Sequence, residues 1–284
     1  MNMNNFAVFI LTYGRSNKVD TFSTLKRQGY SGKIYLLCSD DDKELETYQN
    51  LYKEKVIVFS KKDYKEKFDI GDNFDNDKVV VYARNANFVI AKKLGIEYFL
   101  QLDDDYTGFQ YKIPTNTKLL ARDVKDLDWL FKLFIDFYST TKIKSIAFAQ
   151  GGDFIGGTAN ASNKSEGSKR KLMNCFFNRT NNPYQFYGRI NEDVSCYVVN
   201  GSRGNLFLTQ FNISVRQGMT QQNNGGLTDF YLDTGTYYKS FYSVMMSPSS
   251  VSVAAMGWKD IRLHHRVNWN NAVPKILKEE YKKI

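Results

Sequence analysis

IEYFLQLDDDY, residues 96–106, is the stretch whose reading decides the fold. Tyr98, Phe99, Leu100 and Leu102 form an apolar run that only Gln101 interrupts, the pattern of a strand covered on both faces in a mostly parallel sheet. The run stops in Asp103, Asp104 and Asp105. Open α/β sheets hold their ligands beyond the carboxyl ends of the strands, so carboxylates at that place admit two readings. They form a solvated acidic turn, or they repel one another until a hard divalent cation, Mg²⁺ or Mn²⁺, neutralises them.

Upstream of the strand, residues 79–94 (VVVYARNANFVIAKKL) have the spacing of an amphipathic helix that ends at Gly95. Arg84 and Asn85 lie midway along it, facing solvent, or with Arg84 pointing to an anion near the carboxylates. Residues 60–78 are too polar for a core and read as a surface excursion or lid. The acidic end of that segment lacks the closing glutamate of a calcium loop. Earlier still, strands at 6–11 (FAVFIL), 33–38 (KIYLLC) and 55–59 (KVIVF) alternate with two helices. One helix begins near Ser16 or Asn17 with Val19, Phe22 and Leu25 on one face, and the other carries Leu45, Tyr48 and Tyr52 as a stripe. This alternation predicts right-handed βαβ units and a Rossmann-like, doubly wound sheet, so residues 1–105 read as a nucleotide-binding half.

Downstream, residues 124–138 read as a helix with a broad apolar stripe and 145–150 (SIAFAQ) as a strand. The glycine-rich GGDFIGG at 151–157 lets backbone approach a ligand closely, yet it has neither GxGxxG order nor a Walker lysine. Lys164, Lys169, Arg170 and Lys171 cluster in a small polar segment that is a solvated loop or a track for phosphates. Residues 173–177 read as a strand. Glu192 and Asp193 follow the turn 188–191 into a short helix, where acidic residues are stabilised by the helix dipole and a general base is well placed. His264 and His265 are adjacent; in an extended segment they would point to opposite faces, so at most one reaches a shared metal. From Pro274 the tail PKILKEEYKKI reads as a basic helix.

With 284 residues, 42% hydrophobic and 15% aromatic, the chain can bury a large core. Lys and Arg number 39 against 30 Asp and Glu, a net charge of +9 that favours a polyanionic partner. The apolar run at 6–11 is too short for a signal peptide or a membrane span, so a cytoplasmic protein with no membrane partner is expected. Cys38, Cys175 and Cys196 lack CxxC spacing, which argues against a disulfide framework or zinc site and for buried thiols.

The order of these signals resembles the layout of GT-A glycosyltransferases. More narrowly, FAVFILTYGR, VYARNANF, YFLQLDDDY, AQGGDFIGG, GRINEDV, GSRGNLFLT, SFYSVMMSP and LHHRVNWNNAVPKI resemble the TET-associated glycosyltransferases of phages. Those enzymes add sugars to 5-hydroxymethylpyrimidines, 5-hydroxymethylcytosine among them, in DNA. The resemblance implies one GT-A domain over 1–284, with a nucleotide-sugar-binding half at 1–105 and an acceptor and catalytic half at 106–284. It implies that Asp103 and Asp105 hold Mn²⁺ or Mg²⁺ with His264 or His265. Thr12, Tyr13, Arg15, Asp40 and Asp104 would bind the nucleotide-sugar, a UDP-sugar, and Arg84 would be aimed at phosphate or ribose. Asp193, with Glu192 beside it, would take the acceptor's proton. Lys164, Lys169, Arg170 and Lys171 would hold double-stranded DNA, with Tyr184, Phe186 and Tyr187 near an extruded base, and a phage-encoded protein would work in the host cytoplasm. Two other classes fit the same residues: a glycosyltransferase acting on protein or polysaccharide, and a metal-dependent nuclease or nucleotidyltransferase.

Overall fold

In the first strand every residue is buried, Phe6, Val8 and Ile10 on one side and Ala7, Phe9 and Leu11 on the other. A strand apolar on both faces must be covered on both, and the computed structural model, which describes residues 3–154, 175–218, 238–256 and 261–281, places helices there. In chain order the first half comprises β1 (Phe6–Leu11), α1 (Asp20–Arg27), β2 (Lys33–Ser39), α2 (Leu45–Tyr52), β3 (Val56–Phe59), α3 (Val81–Lys93) and β4 (Tyr98–Asp103). There follow β5 (Tyr106–Pro114), β6 (Leu119–Asp123), α4 (Leu127–Ser139), β7 (Ser145–Gln150), β8 (Phe176–Arg179), α5 (Glu192–Ser202) and β9 (Phe207–Gln217). The chain closes with α6 (Tyr238–Met246), β10 (Val251–Met256), β11 (Arg262–Val267) and the single-turn α7 (Trp269–Ala272).

Nine strands form one sheet in the order β3-β2-β1-β4-β8-β7-β9-β5-β6, and β10 and β11 form a separate antiparallel pair. β3, β2, β1 and β4 are parallel. β8 runs against β4 and β7, and β5 against β9 and β6, while β7 and β9 are parallel. With only β5 and β8 reversed, the other strands run one way, giving the mostly parallel, doubly wound α/β architecture expected. One face of the sheet packs on α3 and α5 and the other on α1 and α4. Cys38, Cys175 and Cys196 are buried and unpaired. Among the described residues no helix is long and apolar enough to cross a membrane.

Three elements differ from the sequence reading. α1 starts at Asp20 rather than near Ser16, because the loop before it finds its hydrogen bonds elsewhere: Gly14 N donates to Asp42 at 2.9 Å, Arg15 N to the Tyr48 hydroxyl at 2.8 Å and Ser16 N to Glu44 at 2.7 Å. Among the described residues the tail beyond Pro274 forms no α-helix, and the 3-10 turn Glu279–Tyr281 is its one regular element. Lys278 N donates instead to Gly204 O at 3.4 Å, so that stretch is held along the α5–β9 turn. The polar excursion is firmly docked, with Lys61 and Tyr64 buried and Gly188 N and Arg189 N donating to Asp69 O and Ile70 O. The Arg189 guanidinium grips both oxygens of Asp72 and the Phe74 carbonyl, and the Tyr242 hydroxyl donates to the same carboxylate.

Candidate active site

Alternation along β4 puts Phe99, Gln101 and Asp103 on the side of the sheet that α3 covers. Asn87 Nδ2 donates to the Gln101 side chain, which explains how an amide is accommodated in that strand. Arg84 lies three residues before Asn87 on the same helical face. Its Nη2 donates to Asp103 Oδ1 at 3.0 Å, and its Nε to Glu192 Oε1 at 2.7 Å. The guanidinium is 1% exposed and stacks near the rings of Phe176 and Phe186, 5.5 and 5.8 Å from their centroids. Arg84 therefore does not face solvent: a buried cation needs opposite charges, and two carboxylates supply them. Its Nη1 is buried with no partner among the described residues.

The charges are coupled. Burial pushes the Asp103 carboxyl up to about 7, Asp105, Glu192 and Asp104 push the same way, and Arg84 opposes them. Burial likewise raises Glu192, with Asp193 adding to the rise and Arg84 working against it. Burial alone would lower the pKa of Arg84, but Asp103 and Glu192 outweigh it and hold that pKa above its ordinary value.

Asp104 points elsewhere. It accepts from the Thr12 hydroxyl at 2.8 Å and from Arg15 Nη1 at 3.0 Å, and burial raises it to about 6 against those two partners. The Thr12 hydroxyl also lies 2.7 Å from the Tyr48 hydroxyl. Thr21 completes the brace, donating its hydroxyl to Asp103 O at 2.6 Å and its N–H to Asp104 O at 3.0 Å. Asp104 thus turns inward and fixes Thr12 and Arg15 to the end of β4. Asp105 accepts from Gln217 Nε2 at 3.0 and 2.9 Å.

Asp40 and its neighbour Asp41 are both exposed. Asp41 accepts from the Ser39 hydroxyl and from Lys61 Nζ at 3.0 Å, and the Lys61 ammonium stands 4.6 Å from the centre of the Tyr13 ring. Lys61, Asp41, Asp42, Glu44 and Tyr48 are site-building residues that the sequence reading passed over. The run SDDD after β2 was the visible signal for two of them.

At the head of α5, Asn191 takes the left-handed conformation, with φ 54°, and its side chain does not cap the helix. Instead Nδ2 donates to Lys239 O at 2.7 Å and lies 3.1 Å from His265 Nδ1. Glu192 and Asp193 follow directly, 4% and 6% exposed. The His264 and His265 rings are 4.2 Å apart, too close for side chains on opposite faces of a pleated strand, so that expectation is corrected. His265 is joined to Asn191 at the head of α5. With its nitrogen facing the Lys239 carbonyl, the Asn191 amide presents a donor to His265 Nδ1.

Among the described residues no three His, Cys, Asp or Glu side chains form a preformed metal cage. A Mg²⁺-like ion does not require one, since it is commonly held by one or two carboxylates together with substrate phosphates. Asp103 and Asp105 suit that role, for burial and the neighbouring carboxylates penalise the charge of Asp103, and a cation offsets that penalty.

Lys164, Lys169, Arg170 and Lys171, with residues 155–157 of the glycine-rich loop, lie outside the described residues. The aromatics expected beside an extruded base are not available to it. Tyr184 and Phe186 are 7% and 0% exposed, packed with Phe88, Phe176 and Phe207, and Tyr187 lies half-buried on the same cluster. Their large apolar rings complete the core under α3 and α5.

A family model described as TET-Associated Glycosyltransferase matches residues 6–226. No curated protein matches the chain. Similar solved structures include glucosyl-3-phosphoglycerate synthase from Mycobacterium tuberculosis in complex with Mn²⁺, uridine diphosphate and phosphoglyceric acid, at 8% identity and TM-score 0.48, covering 92% of this chain and 86% of that one. Another is S. aureus TarS 1-349, at 14% identity and TM-score 0.41, covering 74% of this chain and 59% of that one. Likeness at this level says nothing about ligand or substrate.

Proposed function

The chain belongs to the TET-associated glycosyltransferase family, and on that premise we propose that it transfers a sugar from a UDP-sugar to the hydroxyl of 5-hydroxymethylcytosine, or another 5-hydroxymethylpyrimidine, in DNA. The observation that carries the reading is the Arg84 bridge, in which one buried guanidinium ties Asp103 at the end of β4 to Glu192 at the head of α5. Group transfer needs donor and acceptor held in fixed relation, and this bridge is a rigid link of that kind. In this reading residues 1–105 form the donor half and residues 106–284 the acceptor and catalytic half.

Asp103 and Asp105 would hold Mn²⁺ or Mg²⁺, which when bound supplies Lewis-acid stabilisation of the departing diphosphate. Thr12, Arg15 and Tyr13 line the loop beyond β1, with Asp104 fixing the first two and Lys61 beside the third. Asp193 accepts the proton of the acceptor hydroxyl as its oxygen bonds to the anomeric carbon, and the bond from that carbon to the nucleoside diphosphate breaks with its electron pair. Glu192 acts through Arg84 and positions the helix. Lys164, Lys169, Arg170 and Lys171 serve the DNA backbone, in keeping with the net charge of +9. The base is extruded from the duplex at a cost of about a few kcal/mol.

The test is incubation with a panel of nucleotide-sugars and either hydroxymethylated or unmodified DNA, followed by mass spectrometry of the nucleosides. A hexose or pentose increment on the hydroxymethylated nucleoside alone is expected. Increments on a protein or polysaccharide acceptor, with none on DNA, would overturn the acceptor assignment and leave the transferase standing.

A further inference from the structure

We propose that α4 is the face on which two copies of this chain pair, antiparallel about a twofold axis at Leu133. Trp129, Leu133 and Phe137 follow one another at four-residue steps and are 56%, 49% and 52% exposed. The opposite face of the helix, Leu127, Leu130, Phe131, Ile135 and Tyr138, is buried in the core. Exposed apolar residues scattered singly need no explanation, whereas three large ones in a row along a helix make a contiguous patch of the kind that marks an interface.

The charges beside the stripe indicate what covers it. Lys132 and Asp136 flank it on one side and are paired with each other. A twofold axis perpendicular to the helix brings this flank against the same flank of a second copy while reversing its direction. Leu133 then meets Leu133, Trp129 meets Phe137, and Lys132 of each copy comes within reach of Asp136 of the other. A flank of one sign would repel itself, and this one is self-complementary. It is also a poor face for a polyanion: residues 123–136 carry Asp123, Asp126, Asp128 and Asp136 against Lys125 and Lys132. α4 packs on the side of the sheet with Phe109, Phe148 and Phe177, whereas α3 and α5, which carry Arg84 and Glu192, cover the other. Pairing therefore leaves the candidate site open.

Analytical ultracentrifugation of the full chain at about 10–100 μM, where a Kd of about 1 μM gives mostly dimer, is expected to show a dimer. Leu133→Asp should weaken it by about a hundredfold or more, since it buries two unpaired carboxylates at the axis. Lys132→Glu should weaken it, and Lys132→Glu with Asp136→Lys should restore it. A residue on a twofold axis can cross-link to itself. Leu133→Cys should therefore oxidise to a disulfide-linked dimer, because the native cysteines are buried, whereas Val89→Cys on α3, 43% exposed, should not. A wild-type protein that stays monomeric over that range, or cross-linking equal at 133 and 89, overturns the proposal.

Discussion

Arg84 Nε donates to Glu192 Oε1 at 2.7 Å with the guanidinium 1% exposed, so one buried cation joins the aspartate strand to the helix that carries Asp193. Arg84→Ala leaves Glu192 and Asp103 without their counter-charge. Breaking a buried pair in this way costs about 3–5 kcal/mol, and denaturant unfolding should show a loss of that size. Arg84→Lys should recover only part of it, because a single ammonium cannot present two divergent donors. A loss below about 0.5 kcal/mol, the size of an ordinary surface substitution, would remove the bridge from the account.

Asp193→Asn should lower turnover by about 10²- to 10⁴-fold, the usual worth of a general base, while calorimetric binding of the nucleotide is preserved. Glu192→Gln should act differently, lowering stability through its bond to Arg84. Equal turnover in Asp193→Asn and the parent protein would take Asp193 out of the mechanism.

The raised carboxyl of Asp103 makes stability depend on pH. Its folded-state value of about 7 exceeds the roughly 3.9 of an unfolded aspartate, so the folded state holds the proton more tightly. The stabilisation from that proton is full below about 4 and is lost as pH rises through about 7. Asp104, raised to about 6, acts in the same direction. The metal-free protein should melt lower at pH 8 than at pH 6, Asp103→Asn should shrink that difference, and Mn²⁺ should raise the melting temperature more at pH 8, where protons no longer compete. A pH dependence unchanged in Asp103→Asn would contradict the assignment.

The Asn191 amide nitrogen lies 3.1 Å from His265 Nδ1 and can donate to it while facing the Lys239 carbonyl. Nitrogen-15 spectra should therefore show neutral His265 protonated at Nε2, and Asn191→Ala should mix the tautomers. An Nε2–H cannot ligate a metal, so His265→Gln should leave Mn²⁺ affinity, read by electron paramagnetic resonance, within about twofold. Asp103→Asn or Asp105→Asn should lower it by about 10–100-fold, as losses around metal sites commonly do. An Nδ1-protonated ring with Mn²⁺ affinity lost in His265→Gln would restore the histidine as a ligand.

The sheet was legible in the sequence because β1 and β4 are apolar on both faces, and a run such as FAVFIL or YFLQL has few other uses in a soluble chain. The carboxylates were legible by position, at the end of a central strand. Their division of labour was not. Strand alternation assigns Asp103 to the α3 side, but only the packed structure turns Asp104 inward to Thr12 and Arg15. Local pattern also missed Lys61, because a buried lysine is identifiable only from its partners, here Asp41 and the Tyr13 ring. Phe186 and Tyr184 looked like exposed stacking aromatics because nothing in their immediate sequence announces that α3 and α5 close over them. The start of α1 moved for the same reason: Asp42, Glu44 and Tyr48, remote in sequence, take the loop's N–H groups.

The central claim is that Asp103 and Asp105 hold a divalent cation against the diphosphate of a sugar nucleotide. A crystal structure of the protein with Mn²⁺ and uridine diphosphate tests it most directly. The account predicts an ion about 2.1–2.2 Å from an oxygen of Asp103 or Asp105 and from a diphosphate oxygen, in the range for oxygen-ligated cations of this size. A nucleotide bound with its diphosphate away from the end of β4, and no ion at either aspartate, would contradict it.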